Sequence, residues 1–270
     1  MELMTMIADE ILSMLDILPL DSLLGHEQTL PKNEAYLKEA MLNIGKLVDP
    51  IVVDRENRVV LDGNHRFTVL KSLRCASVAC QVVDYNNPEI KVGGWLPTTD
   101  VFPEAVGKLK CDIVDFETGK KAVDSKQAYF MAMTKTASGL KCCLYESHGD
   151  SLDLIVAEQQ AVLKDIGAGD GMGYIEDFKC MDTVNSGRTV LYRRNFTKDE
   201  IIATAKRGVP LPPKSTRHAI PDRIIRLNLP LGWLNEDDID TARLKMQEMI
   251  RKRAADFSIR RYTEPVLVIY

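Results

Sequence analysis

The sequence has few cysteines and histidines, and they show no spacing typical of a metal site. The six cysteines include no Cys-x-x-Cys pair, and with the four histidines they do not form a spacing that would close a tetrahedral zinc site. A structural zinc is therefore not expected. In a chain of 270 residues, cysteines scattered among apolar neighbours are typical of reduced thiols in a cytosolic protein. We expect all six to be free thiols that fill the core.

Long apolar runs and an excess of positive charge are also missing. No run reaches the roughly 18 apolar residues of a membrane span, and no basic region precedes the first apolar residues as in a signal peptide. The formal net charge is −4, so no overall positive field attracts nucleic acid. The basic run Arg251-Lys252-Arg253 lies near acidic residues and is typical of a solvated helix face. The sequence predicts a cytoplasmic protein that binds neither membrane nor nucleic acid, and it leaves the oligomeric state open.

The composition and the apolar periodicity predict an α+β protein of two domains. Hydrophobic residues make up 45% of the chain and charged residues 27%, which is ordinary for globular proteins. We place the first domain at residues 1–92 and a second α+β domain at residues 93–270. Helices are predicted near residues 5–14, 34–45, 66–73, 158–166, 198–207 and 236–255, and strands near 50–54, 59–62, 78–85, 141–145, 153–156, 189–192 and 266–270.

A polar loop joins one predicted strand to a predicted helix. It reads Asp62-Gly63-Asn64-His65-Arg66 and is called here the Asp62 loop. The free N–H groups and the positive dipole end of a helix N-terminus suit a bound phosphate. Arg66 can grip a phosphate with two parallel hydrogen bonds, and Asp62 is a hard oxygen ligand of the kind that Mg²⁺ requires. The loop predicts a nucleotide site, although an ordinary turn would have the same residues.

Two further polar clusters contain histidine. His26 precedes Glu27, and the sequence Thr216-Arg217-His218 follows a proline-rich stretch that should be extended. Arg217 offers a second planar donor for phosphate, while Thr216 and His218 add further polar groups. Glu27 is a carboxylate able to accept a hydroxyl proton, although it could instead cap a helix. If the fold brings the clusters together, the set meets the needs of phosphoryl transfer.

The motifs resemble those of known families. The stretch from Val59 to Arg66, followed by an apolar helix, resembles the signature loop of the ParB/sulfiredoxin superfamily, whose members bind nucleotide phosphates on this loop. The catalytic cysteine of sulfiredoxins is missing, because this loop has Asn64. Leu24-Gly25-His26-Glu27, the Asp-Gly-x-His-Arg loop with the downstream Asp84-Tyr85, and Pro212-Pro213-Lys214-Ser215-Thr216-Arg217-His218 together resemble the free L-serine kinase family. That family pairs a ParB-like domain with a second domain.

The resemblance implies an activity and a role for each motif. The chain would transfer a phosphoryl group from ADP or ATP to free L-serine, with Mg²⁺ at the phosphates. Asn64 stands where a histidine is most often expected in this family. The implied roles are general base for Glu27, catalysis and Mg²⁺ placement for Asp62, phosphate binding for Gly63, Asn64, His65, Arg66 and Arg217, and the amino-acid pocket for Trp95, Thr216 and His218.

Several alternatives stay open at the level of sequence. A ParB-like DNA-binding protein or nucleotide switch would need a helix-turn-helix after the loop, but residues 86–140 contain prolines, paired glycines and no clear helix pair. A ligand-sensing regulator that uses the basic C-terminal helix is a third possibility. Trp95 could simply pack a domain joint. The glycines of residues 167–173 lack the GxGxxG spacing and predict a flexible turn or lid.

Overall fold

The computed structural model describes residues 2–101, 111–166, 172–236 and 238–262. The chain forms two compact units. Unit 1 contains the chain up to Gly25, the segment Thr29–Asn87 and the chain from Pro221 onward, whereas unit 2 contains His26–Gln28 and Pro88–Ile220. Each unit is described by itself below.

The described residues form eight α-helices and fifteen strands. The helices are α1 (Glu2–Met14), α2 (Pro31–Ile44), α3 (Asn64–Ser72), α4 (Phe116–Asp124), α5 (Leu152–Ile166), α6 (Cys180–Asn185), α7 (Lys198–Arg207) and α8 (Ile239–Ala255). The strands are β1 (Leu15–Pro19), β2 (Leu24–Gly25), β3 (Lys46–Leu47), β4 (Ile51–Asp54), β5 (Val59–Asp62), β6 (Ser77–Val83), β7 (Lys91–Gly93), β8 (Trp95–Thr99), β9 (Asp112–Val114), β10 (Ala128–Thr136), β11 (Gly139–Glu146), β12 (Gly173–Glu176), β13 (Thr189–Tyr192), β14 (Arg217–Ala219) and β15 (Leu229–Pro230).

Unit 1 is built on a mixed sheet of five strands in the order β1-β6-β4-β5-β2. β4 and β5 form the predicted antiparallel hairpin, with Val53 opposite Val60. β6 runs parallel to β4, and β2 runs parallel to β5. The apolar run of β4 and β5 is buried, as expected for strands in the middle of a sheet. The hairpin therefore places the end of β5, and with it Asp62, at the sheet edge from which α3 departs.

The C-terminal helix α8 belongs to unit 1, which departs from the predicted second domain of residues 93–270. Its residues Ala242, Met246, Ile250 and Ala254 recur every four positions, are buried and join the core formed by α1 and the sheet. Arg243 Nε lies 2.7 Å from Asp16 Oδ1, and its Nη2 donates to the carbonyl oxygen of Ile17. Helical periodicity shows that one face is buried, but it does not show which sheet covers that face.

Unit 2 contains a six-stranded sheet in the order β12-β8-β13-β10-β11-β9. Successive side chains of the central strand β10 point to opposite faces, so Met131 and Met133 enter one apolar cluster while Phe130 and Ala132 enter another. α4 and α6 supply Val123 and Val184 to the first cluster, and α5 covers the second. The predicted strand at residues 153–156 is wrong: these residues lie in the first turns of α5, where an apolar run of three suits a half-buried helix equally well.

The expectation of six free thiols is wrong for two of the cysteines. Cys111 and Cys143 form a disulfide with their Cα atoms 5.5 Å apart. β9 begins directly after Cys111 and pairs with β11, which contains Cys143. The remaining four cysteines are free, and three of them are buried. Because the two bonded cysteines are 32 positions apart, only the strand order brings them together.

Some sequence predictions fall outside the described residues. They are the strand at residues 266–270 and most of the glycine run, at residues 167–171. Within the described ranges, no helix is both long and apolar enough to cross a membrane.

The packing of α8 gives a first prediction. Met246→Ala should lower the free energy of unfolding of unit 1 by about 2–5 kcal/mol, because the side chain is 1% exposed and its loss leaves a cavity. Leu244→Ala on the same helix is the matched control, since Leu244 is 64% exposed and should change stability by less than about 0.5 kcal/mol. Urea unfolding can be followed in a Trp95→Phe background, where Trp233, which packs against the core of unit 1, is the remaining tryptophan. Equal effects of the two changes would show that α8 does not belong to this core.

Candidate active site

The Asp62 loop lies in unit 1 at the junction of β5 and α3. Gly63 adopts the left-handed conformation with φ 93° and ψ 27°, which disfavours any residue with a Cβ atom. A Cβ atom at this position would also lie 2.8 Å from Ile51 Cγ2 and 3.0 Å from Arg66 Nη2. The loop therefore needs glycine both for its backbone conformation and for space.

The predicted phosphate site lies at the N-terminus of α3. No side chain caps it, and its first turn holds no acidic residue. The first hydrogen bond within the helix runs from Phe67 N to Gly63 O at 2.9 Å, so the N–H groups of the three preceding residues lie ahead of the helical ladder. Backbone donors and a helix dipole favour an anion in general, and phosphate binding at this loop stays a prediction.

Two arginines hold the Asp62 carboxylate. Arg66 Nη2 lies 2.6 Å from Asp62 Oδ2, while its Nη1 donates to the carbonyl oxygens of Asp49 and Pro50 at 2.9 and 2.8 Å. Arg223 also donates to Asp62 Oδ2. Arg66 thus holds the chain just before β4 next to the end of β5. Any contact with a ligand would be additional. Sequence reasoning missed Arg223, which has no motif around it and is 161 positions from Asp62.

The histidine and asparagine of the Asp62 loop are both tied to unit 1. Asn64 is the first residue of α3. His65 Nε2 accepts a hydrogen bond from the backbone N–H of Leu30 at 3.2 Å, at the residue that precedes α2. This contact links the N-terminal ends of α2 and α3.

The second candidate region, called here the Glu27 site, lies in unit 2 and consists of His26, Glu27, Trp95, Arg193 and residues 214–218. The proline-rich segment runs extended, as predicted, and Leu211 pairs with the chain around Glu27. Leu211 N donates to His26 O, and Gln28 N donates to Leu211 O, both at 2.8 Å. The chain then turns at Lys214, whose φ is 62°. The pairing sets residues 214–216 against the Glu27 side chain.

The Glu27 carboxylate accepts three hydrogen bonds from this turn. Its Oε1 accepts from Lys214 N at 2.8 Å, and its Oε2 accepts from Thr216 N at 3.0 Å and from Thr216 Oγ1 at 2.8 Å. Burial raises the pKa of Glu27, and the hydrogen bonds from Thr216 and Lys214 and the charge of Arg193 offset only part of that rise. A carboxylate with a raised pKa is a better proton acceptor near neutral pH than an exposed one.

Arg193 is a buried cation beside Glu27, and sequence reasoning missed it. Its side chain donates from Nε and Nη2 to the carbonyl oxygen of Trp95 at 3.2 and 2.9 Å, and from Nη2 to the carbonyl oxygen of Lys214. Burial lowers the pKa of Arg193 to about 10, so the group stays charged at neutral pH. It joins the start of β8 to the turn that holds Glu27. Nothing in the strand sequence around it distinguishes it from a surface arginine.

The predicted amino-acid pocket residues are brought near Glu27 to different degrees. Thr216 and His218 are both 8% exposed, and the His218 ring meets the His26 ring edge-on at 5.5 Å. The backbone carbonyl oxygen of Trp95 accepts from Arg193, and Lys214 Nζ lies 4.4 Å from the Trp95 ring centroid. The contacts of Trp95 therefore favour neither of its two predicted roles over the other.

Arg217 lies apart from the Glu27 carboxylate. It alternates with the buried His218 along β14, so the two side chains point to opposite faces. Its guanidinium group lies 5.6 Å from the Phe178 ring centroid. Near this face, unit 2 has a pocket of about 310 Å³, which is lined by Asp177, Phe178, Tyr192, Arg193 and Asn195.

Comparison with known proteins identifies similar kinases. No protein-family model matches the chain. It is 26% identical to the ATP-dependent L-serine kinase of Desulfurococcus mucosus, over 81% of this chain and 90% of that protein. It is 25% identical to the ADP-dependent L-serine kinase of Thermococcus kodakarensis, over 75% and 85% of the two chains. A ParB-like protein of Sulfolobus acidocaldarius is 23% identical over 68% and 80%. These relatives confirm the resemblance to L-serine kinases and to ParB-like proteins that the motifs predicted.

A solved structure shows the same fold. A variant of free serine kinase in complex with ADP matches with a TM-score of 0.67 and 20% identity, covering 82% of this chain and 93% of that chain. The predicted α+β fold with a ParB-like first part is therefore confirmed.

The Asp62 loop gives a second prediction. Gly63→Ala should cost about 1 kcal/mol for the left-handed backbone and a further 1–3 kcal/mol for crowding against Ile51 and Arg66. Gly45→Ala is the matched control, because Gly45 is also left-handed, with φ 69°, but has no atom within 4 Å of the added Cβ. Chemical denaturation of both variants measures the difference. A loss at Gly63 no greater than that at Gly45 would mean that the loop can accommodate a side chain.

Proposed function

We propose that the chain is a kinase that phosphorylates free L-serine to O-phospho-L-serine, with ADP or ATP as the phosphoryl donor. The observation that carries the proposal is the buried Glu27 carboxylate, which three donors from Lys214 and Thr216 hold inside a motif shared with that family. The similarity to named L-serine kinases over most of the chain supports it.

The chemistry assigned to unit 2 is acceptor binding and proton removal. The serine hydroxyl gives its proton to Glu27 while its oxygen bonds to the terminal phosphorus of the donor. The bond between that phosphorus and the bridging oxygen breaks, so ATP leaves as ADP, or ADP leaves as AMP. Thr216, His218 and Trp95 hold the amino acid, and Arg193 balances the negative charge beside Glu27.

The chemistry assigned to unit 1 is phosphate binding. The backbone N–H groups of Asn64 to Arg66, at the start of α3, donate to phosphate oxygens. Gly63 has no side chain and lets the phosphate approach closely. Arg66 adds a cationic donor nearby, and His65, whose Nε2 accepts from Leu30 N, can donate only from Nδ1. Arg223 shares the Asp62 oxygen with Arg66 and supplies a second guanidinium group on the same loop. Arg217 is assigned to phosphate binding from the sequence motif.

Asp62 fits a single-carboxylate Mg²⁺ site. In the described parts of the chain, no group of three or more metal-binding side chains is present. Mg²⁺ is commonly held by one or two carboxylates together with substrate phosphates, so one aspartate is enough when the nucleotide is bound. Both arginines engage Oδ2 of Asp62. Asp62 would hold a bound Mg²⁺, which would neutralise phosphate charge.

The DNA-binding alternative would need a helix-turn-helix after the Asp62 loop, which the described residues 86–101 and 111–140 do not contain. In residues 86–101 and 111–140, the structure has strands and the single helix α4, where a helix-turn-helix would need two adjacent helices.

The third prediction tests the activity directly. The protein is incubated with Mg²⁺, with ADP or ATP, and with serine, threonine or homoserine, and the products are identified by mass spectrometry. We expect phosphoserine with at least one donor. Glu27→Gln keeps the shape of the side chain but cannot take a proton, so it should bind nucleotide while losing at least a hundredfold in kcat. Absence of product with every donor contradicts the proposal, and full activity in Glu27→Gln removes Glu27 as the base.

The fourth prediction concerns pH. Because Glu27 acts as a base only when ionised, kcat/KM should fall as the pH drops through its pKa, and burial places that pKa above the ordinary value for glutamate. The acidic limb of the pH profile should therefore lie above the range in which exposed carboxylates titrate. ¹³C NMR difference spectra between the wild type and Glu27→Gln give the carboxyl titration independently. A carboxyl pKa at or below the ordinary value would contradict the assignment.

A further inference from the structure

We propose that His26 is a positioning residue for the base: it orients the Thr216 hydroxyl so that this hydroxyl donates to the Glu27 carboxylate. The inference rests on the proposed function for its catalytic consequence, although the hydrogen-bond order itself can be tested without activity. His26 has no role in the assignments above.

The contacts form a chain of three side chains inside unit 2. His26 is fully buried, and its Nε2 lies 2.8 Å from Thr216 Oγ1. The same Oγ1 lies 2.8 Å from Glu27 Oε2. His26 and Glu27 are neighbours in sequence, yet their side chains are connected through a residue 190 positions from His26. The hydroxyl therefore serves two partners at once.

The single proton of the hydroxyl fixes the order of donors. An ionised carboxylate can only accept, so the Thr216 proton must point to Glu27. The hydroxyl oxygen must then accept from His26, which requires the proton of the neutral imidazole to lie on Nε2. If Nε2 were bare, the hydroxyl proton would be drawn to His26 and Glu27 would lose one of its three donors. The tautomer of His26 thus decides whether Thr216 supports the base.

This order also identifies the oxygen that takes the proton. Glu27 Oε2 accepts two hydrogen bonds, both from Thr216, whereas Oε1 accepts one described bond, from Lys214 N. Each carboxylate oxygen can accept about two bonds. Oε1 can therefore still accept a hydrogen bond from the substrate hydroxyl. Oε2 is occupied by its two bonds from Thr216, whose hydroxyl is oriented by His26; this His26–Thr216–Glu27 chain is called the relay.

Charged and titratable groups also surround these three side chains. Arg193 acts on Glu27 by its charge, and the ring of His218 faces that of His26. Lys214 contributes its backbone N–H, while its ammonium group lies over the Trp95 ring. The His26 variants keep Arg193 and His218 unchanged, so a shift of the acidic limb of the pH profile in these variants can be attributed to His26.

The test uses two replacements of similar size in the full-length protein. His26→Gln places an amide at the distance of Nε2 and keeps a donor for Thr216, whereas His26→Met fills the space without one. His26→Met should lower kcat several-fold, as expected for one lost hydrogen bond between neutral groups, and should move the acidic limb of the pH profile upward, because the Thr216 hydroxyl is then less firmly held toward Glu27. His26→Gln should lower kcat less than His26→Met does. Adding His26→Met to Thr216→Val should cost no more than Thr216→Val alone, because His26 acts through Thr216.

A spectroscopic measurement separates this inference from the proposed function. ¹⁵N NMR of the wild-type protein, with the His26 signals assigned from the His26 variants, reports which ring nitrogen carries the proton. A proton on Nε2 supports the relay, and a proton on Nδ1 alone overturns it, whether or not kinase activity is found. If the wild type is active while His26→Gln and His26→Met lose activity equally and the pH limb does not move, the positioning role fails and the kinase stands. Because the His26 signals can be assigned from His26→Gln alone, a His26→Met protein that fails to fold leaves the NMR test intact.

Discussion

The pairing of the chain around Glu27 with the extended segment at Leu211 is the contact on which the candidate site depends. Two backbone hydrogen bonds align two segments far apart in sequence. Only then do the amides of Lys214 and Thr216 reach the carboxylate, and only then does the Thr216 hydroxyl lie within reach of both His26 and Glu27. The prolines before Lys214 restrict the backbone of this segment before folding, which lowers the entropy lost when it pairs.

The two key carboxylates are held in different ways, and the difference suits different roles. Asp62 is about one-third exposed and pairs with two guanidinium groups, so it keeps its negative charge close to cations and solvent. Glu27 is held mainly by neutral donors and is removed from solvent, and burial raises its pKa. A carboxylate surrounded by cations stays ionised and is suited to holding charged groups in position. A carboxylate held by neutral donors is suited to taking up and releasing a proton.

Much of the fold could be predicted from the sequence, because local patterns carry it. The hairpin of β4 and β5, the glycine turn into α3 and the extended proline segment each follow from a few neighbouring residues. Long-range contacts were not predictable. Arg223 and Arg193 have ordinary local sequences, and their partners Asp62 and Glu27 are more than 150 positions away. The strand predicted at residues 153–156 failed because a short apolar run does not distinguish a strand from a buried helix turn.

The return of α8 to unit 1 affects the order in which the chain can fold during synthesis. Residues of unit 2 leave the ribosome before α8, which supplies Met246 and Ile250 to the core of unit 1. The sheet of unit 1 must therefore wait, with part of its apolar surface open to solvent, until the intervening residues have been made. At about 5–20 residues per second, the delay between β6 and the end of α8 is of the order of ten to thirty seconds. During that interval the exposed apolar surface of unit 1 is open to aggregation and to chaperones.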